Sequence, residues 1–202
     1  MTLQAKVNAV ESLFLQLDRE ISEVQSKTGL TCKAGCGKCC TYSEIDASPL
    51  EFLPWAYHLF LNGEAEQVLT LLETNDTAIC HNYRPLGLIE TGSGSCGNYA
   101  YRGLICRLFG YGATTDKYGK LRLATCKIIR EGQPEAIEKT NELIATAGHI
   151  PIFTHYYMQL SQIDHDMGNQ ILPVNKALKR ALEEVLRHYY YHPLPQAPRV
   201  VA

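Results

Sequence analysis

The run Cys32-Lys33-Ala34-Gly35-Cys36-Gly37-Lys38-Cys39-Cys40 places four thiols within nine residues, in the pattern C-x3-C-x2-C-C. Spacings this short let several thiolates converge on one centre, and Gly35 and Gly37 allow the backbone to wrap tightly around it. Lys33 and Lys38 favour the deprotonated, metal-binding form of neighbouring thiols. Cys80, Cys96, Cys106 and Cys126 all fall in a glycine-rich middle section that a fold can fasten by closing it over a metal. Residues Met1 to Lys6 lack a basic stretch leading into a hydrophobic block and a small-residue cleavage site, so no secretory signal is read. Eight cysteines without such a signal point to a reducing compartment, the cytoplasm, where thiols bind metals more often than they form disulfides.

A chain of 202 residues supplies one sizeable core and is thin for two. The reading is a single domain over residues 1–192 followed by a flexible tail over 193–202, where three prolines crowd the end. With 46% hydrophobic and 20% charged residues the composition is that of a globular protein. The net charge of −2 argues against nucleic acid as a partner, because neutralising phosphates needs a clustered basic excess. The longest apolar stretches are too short for a membrane span.

The expected fold is mostly α, with an irregular glycine- and cysteine-rich middle and a small β-hairpin. Leu3, Val7, Val10, Leu13, Phe14, Leu17, Ile21 and Val24 recur at spacings of three and four, which predicts a long amphipathic helix closed by Gly29. Ser48, Pro49 and Glu51 form a capping-box start for a helix ending at Asn62-Gly63, with Pro54 placed to kink it or delay its start. A short helix is expected from Glu64 to Glu73, on the face of Val68, Leu69 and Leu72. From Asn75 to Ile129 glycines, Gly87 and Gly92 among them, break any helical period. Asp116 to Lys120 reads there as the turn of a hairpin that continues through Leu121, Leu123 and Thr125. Helices resume at Pro134 (Ile137, Leu143, Ile144 and Ala147, closed by Gly148), after Pro151 (Phe153, Tyr156, Tyr157, Leu160, Ile163) and from Val174 to Tyr189 (Leu178, Ala181, Leu182, Val185, Leu186).

Zinc takes four thiolate or imidazole ligands in a tetrahedron, whereas iron–sulfur clusters take four cysteines, commonly three from one loop and one from afar. Cys39 and Cys40 are adjacent and strain to fill two corners of one small tetrahedron, which favours a polynuclear centre. A four-iron, four-sulfide cluster is therefore the preferred cofactor, with zinc as the alternative. The C-x3-C-x2-C subset resembles the loop of radical S-adenosylmethionine enzymes, but those place it after a strand of a β/α barrel, and here it follows a long helix.

A second landmark lies downstream, in Cys96-Gly97-Asn98-Tyr99-Ala100-Tyr101-Arg102-Gly103-Leu104-Ile105-Cys106-Arg107, with Cys126 beyond it. Together with the first loop, this resembles the CxxCxxCC family of cysteine-cluster proteins, described as a zinc- or iron-chelating domain. The resemblance covers Cys32 to Cys126 and implies metal ligation by Cys32, Cys36, Cys39, Cys40, Cys96, Cys106 and Cys126. Gly103 departs from the family, which has Arg followed by Pro there, and implies a looser turn. Cys80 has no counterpart and reads as a small core residue. Some larger relatives are flagellin lysine N-methylases, but nothing here matches an S-adenosylmethionine pocket.

Arg102 and Arg107 bracket Cys106. Arg102 reads as structural, and Arg107 is a candidate for cofactor binding, able to reach a cluster sulfur or an anion. His155 and His165, with Asp164 and Asp166, read as a solvated helix end before they read as a second metal site. His188, His192 and Tyr189 to Tyr191 read as closing the last helix against the body. Gly92-Ser93-Gly94-Ser95 lacks the ending of a phosphate loop and reads as flexible. The functional expectation is a metal-binding protein for metal handling, electron transfer or sensing. A metal-dependent methyl-transfer or redox enzyme is the alternative, and the protein partner is left open. The first-loop thiols are expected to crowd one region with at least two of Cys96, Cys106 and Cys126.

Overall fold

The computed structural model describes residues 1–86, 93–146 and 148–194. The expectations placed on Gly87, Gly92, Ala147 and the tail from 195 onward lie outside the described residues. The architecture is mostly helical. Helix α1 spans Leu3–Thr28, capped at its start by the Thr2 side chain accepting from the Ala5 amide and ended by Gly29 at φ 74°. Its periodic apolar residues are all buried, as the spacing requires.

Ser48 and Glu51 make the reciprocal capping box. The first turn it opens, Pro49–Phe52, is a 3-10 helix, and α2 begins only at Leu53 and runs to Leu61. Pro54, with no amide hydrogen to donate, sits within the first turn of α2, where none is required. Gly63 at φ 75° turns the chain into α3, Ala65–Thr74.

The middle contains short elements that periodicity does not reveal. Strand β1 (Asp46–Ala47) pairs with β6 (Leu172–Pro173), and β2 (Tyr83–Pro85) pairs antiparallel with β3 (Gly94–Cys96). Helix α4 (Leu104–Leu108) precedes the expected hairpin, formed by β4 (Ala113–Thr115) and β5 (Leu121–Leu123), and α5 (Lys127–Gly132) follows it. Then come α6 (Pro134–Ala145), α7 (Phe153–Ile163), the one-turn α8 (His165–Gly168) and α9 (Val174–Tyr191).

The core lies where α2 is held between α1 and α9, with α7 against α1 and α3 against α9. One hydrophobic cluster runs through it from Leu3 to Val185. A smaller cluster of Val24, Ala113 and Ile150 seats the hairpin on the far end of α1, with Ile144 of α6 packed on it. The α6 stripe is only half-buried, and Thr140 is its fully buried residue. At the other end Tyr189 stacks on Phe60 at 4.6 Å, whereas Tyr190 and Tyr191 face solvent, so only the first tyrosine closes α9 on the body. His155, His165 and Asp166 are exposed, whereas the Asp164 carboxylate is mostly covered, capping α8 and pairing with Lys6.

Trp55 of α2 is 0% exposed at the centre of the core, and its indole Nε1 has no hydrogen-bond partner among the described residues. Trp55→Ala is expected to cost about 4 kcal/mol through the cavity it leaves. Trp55→Phe should cost less than half of that, since it also removes an unpaired buried donor. Urea unfolding midpoints of the two variants check this.

Candidate metal centre

The first cysteine loop is shaped by its glycines. Gly35 and Gly37 adopt φ 71° and 55°, which side chains disfavour, and a Cβ on Gly37 would lie 2.7 Å from the carbonyl carbon of Gly94. The Gly94 amide donates to the Gly35 carbonyl at 2.9 Å, so β3 lies directly on the loop. Gly94 also packs beneath the Tyr83 ring. Close approach, and not flexibility, explains the glycine there.

Beyond Gly37 the chain forms a 3-10 turn, Lys38–Thr41, which carries Cys39 and Cys40. The Cys80 amide donates to the Cys40 carbonyl at 3.0 Å, and the pairing of β2 with β3 sets Cys96 opposite Tyr83. Cys80 is therefore part of the cysteine neighbourhood, although it also packs against the main core as expected. Nothing in the local sequence marks Cys80; only the fold brings it beside the first loop.

Three polar ties fix the segment that carries Cys106. Glu51, fully buried, accepts from the Ser48 amide at 2.7 Å, the Ile105 amide at 2.8 Å and the Tyr157 hydroxyl at 3.2 Å. Tyr101 stacks on His58 at 4.3 Å and bonds its Nδ1 at 3.0 Å. Arg107 pairs with Asp18 of α1, donates to the carbonyls of Arg102 and Ala100 at 3.1 and 2.7 Å, and lies over the Phe14 ring. These contacts account for the Arg107 side chain without an anionic ligand. Arg102 reaches Asp18 and the Tyr99 carbonyl, in keeping with a structural role. Gly103 is buried, and a Cβ there would lie 2.6 Å from Glu51 Oε2 and 2.7 Å from the Phe52 ring. The turn is tight, not loose: its missing side chain is what lets the buried carboxylate approach.

On the other flank Thr31 and Gln133 exchange hydrogen bonds, Thr31 N–H to Gln133 Oε1 at 2.9 Å and Gln133 Nε2 to the Thr31 carbonyl at 2.6 Å. The Cys32 amide donates to the Tyr111 hydroxyl at 2.8 Å. Cys126 is the N-cap of α5, its Sγ accepting weakly from the Ile129 amide at 3.5 Å.

All eight cysteines carry free thiols. Burial raises the Cys32 thiol, and thiolates at Cys39, Cys36 and Cys126 add to the rise. The Cys40 thiol donates to Cys39, holding the Cys39 thiol below its ordinary range and pushing Cys40 up. Burial raises Cys80 to about 11, and thiolates at Cys96 and Cys39 add to the rise. Burial raises Cys96, and Arg102 and Arg84 partly offset it. Lys33 and Lys38, expected to help, are exposed on the loop. Burial pushes Cys106 well up, assisted by Glu51, Cys80, Cys39 and Cys96, although part of its surface stays open to solvent. Among the described residues no three His, Cys, Asp or Glu side chains already stand in the geometry of a single ion. Cys126, Cys39 and Cys40 instead serve local hydrogen bonds.

Thiols are the donor type that a soft metal takes, and among the described residues they are not assembled into a centre for one ion. A separate cleft of about 760 Å³ lies between the hairpin and α6, lined by Leu121, Leu123, Ile137 and Ile144 with Lys120 and Arg130, and no cysteine lines it. Among the described residues no helix is long and apolar enough to cross a membrane. No protein family, curated protein or solved structure matches the chain, so the likeness to the CxxCxxCC family stands on the residues quoted for it alone.

Proposed function

We propose that the protein binds a soft metal centre through its cysteine thiolates, an iron–sulfur cluster in preference to zinc, and serves metal handling, electron transfer or sensing in a reducing compartment such as the cytoplasm. The observation that carries this reading is the packing of other cysteine-bearing segments on the first loop, the Cys80 amide on the Cys40 carbonyl and the Gly94 amide of the Cys96 strand on the Gly35 carbonyl, with all eight thiols free. Isolated core thiols have no reason to collect, because burying several of them side by side makes each harder to ionise and adds little packing. A metal reverses that balance, since its charge stabilises the thiolates together.

Cys32, Cys36, Cys39, Cys40, Cys96, Cys106 and Cys126, joined by Cys80, are the residues that would hold the group. When bound, an iron–sulfur cluster supplies one-electron chemistry, and zinc supplies structural closure. Of the protein's own groups, Glu51 fixes the amides that precede Cys106, and Arg84 and Arg102 favour ionisation of Cys96. Anaerobic purification is expected to give brown protein with broad absorption near ~400 nm, from sulfide-to-iron charge transfer, together with iron and acid-labile sulfide. Colourless protein with stoichiometric zinc reverses the choice of metal. Protein that takes up neither metal rejects the reading.

A further inference from the structure

We infer that the cleft between the β4–β5 hairpin and α6 binds a small organic anion, an aliphatic chain ending in a carboxylate. No cysteine lines this cleft, so the site is independent of the metal-binding reading above.

Two apolar faces meet here without closing on each other. Side chains alternate along β5, so Leu121 and Leu123 share a face, with Thr125 beyond them. On α6, Ile137, Asn141 and Ile144 stand four and three residues apart, on one side of the helix. All of these residues line the cleft, and its four leucines and isoleucines are only half-buried. About 760 Å³ lies open between them. Small-ligand sites fall between roughly 300 and 1,000 Å³ and are likewise mostly apolar, with a few polar groups that fix orientation. No aromatic ring lines this one, so its walls suit a flexible aliphatic chain better than a flat ring that needs stacking.

The polar groups select the sign of the ligand's charge. Lys120, Arg122 and Arg130 line the cleft, and among the described residues no carboxylate does, in a chain whose net charge is −2. Arg122 is engaged by Asp116 at 2.7 Å. Lys120 and Arg130 have no ion-pair partner among the described residues. Glu131, next to Arg130, pairs with Lys127 at 3.6 Å, and Glu138 and Glu142 border an adjoining groove without pairing with Arg130. Thr125 contributes a hydroxyl that is shielded from water and has no hydrogen-bond partner among the described residues. A ligand oxygen seated at that wall would relieve the cost of leaving it unpaired. The chain of the ligand covers the aliphatic walls, and its carboxylate answers the two unpaired cations.

The test titrates sodium decanoate, kept below the concentration at which it forms micelles, into the isotope-labelled full-length protein and follows the amide resonances. Saturable shifts are expected in residues 121–125 and 137–145. Decanol should bind more weakly than decanoate, and decyltrimethylammonium should not bind. Lys120→Gln combined with Arg130→Gln should raise the Kd for decanoate about fivefold, the effect of losing two exposed charge pairs, and leave that for decanol unchanged. Asn141→Trp, at an exposed position on the α6 wall, should fill the cleft and abolish binding of both. The wild-type shifts locate the site even where a variant fails to fold. No saturable binding, shifts confined to other elements, or equal binding of decanoate and decyltrimethylammonium each overturn the assignment. Phosphatidylglycerol vesicles that shift these amides when decanoate does not would place a membrane surface there and overturn it as well.

Discussion

Glu51→Ala is expected to cost about 4 kcal/mol, because it strands the buried Ser48 and Ile105 amides and the Tyr157 hydroxyl without their acceptor. The same group imposes a pH dependence. Burial raises its pKa from 4.5 to about 7. Between those values the folded chain holds a proton that the unfolded chain has released. Its contribution is therefore complete below pH 4.5 and is lost as the pH rises through about 7. The loss amounts to about 3 kcal/mol, at 1.36 kcal/mol per pKa unit. Urea midpoints of the metal-free protein measured across this range should fall with rising pH. Glu51→Gln should flatten the slope while lowering the midpoint at acid pH, since an amide cannot accept from both backbone donors. A wild-type slope equal to that of Glu51→Gln would show that another group governs the dependence.

Removing metal is expected to separate the molecule into a part that stays and a part that loosens. The core of α1, α2 and α9 is built from apolar contacts that need no metal, so helical circular dichroism should change little. The segment from Asn75 to Ile129 has few buried apolar residues of its own, Leu104, Leu108, Ala113 and Ile129 among the described ones. A ligand present at about 1,000 times its dissociation constant adds about 4 kcal/mol to the folded state. Chelation should therefore accelerate tryptic cleavage after Arg102 and Lys117 at least tenfold. Digestion patterns that coincide with and without metal would show that the thiols do not order this segment.

The amino-acid sequence alone determined the helical frame. The stripes of α1 and α9, the capping box at Ser48 and Glu51, the delayed start at Pro54 and the stop at Gly29 are local or periodic signals, and each is written within one turn or one face. The four-thiol loop was legible for the same reason. What only the tertiary structure decided is everything that depends on contacts between distant segments. Strands of two or three residues such as β1, β2, β3 and β6 are too short to show a period, and they exist because a remote partner pairs with them. Glu51 is read from the sequence as a cap, and only the approach of Gly103 and Tyr157 makes it a buried carboxylate beneath Cys106. Arg107 lies beside a cysteine in sequence, yet Asp18, nearly ninety residues earlier, takes its charge. Cys80 carries no motif, and a single amide bond to the Cys40 carbonyl brings it to the other thiols. A thiol's chemistry depends on its neighbours, and those neighbours are fixed by how the glycine-rich middle folds back over the first loop.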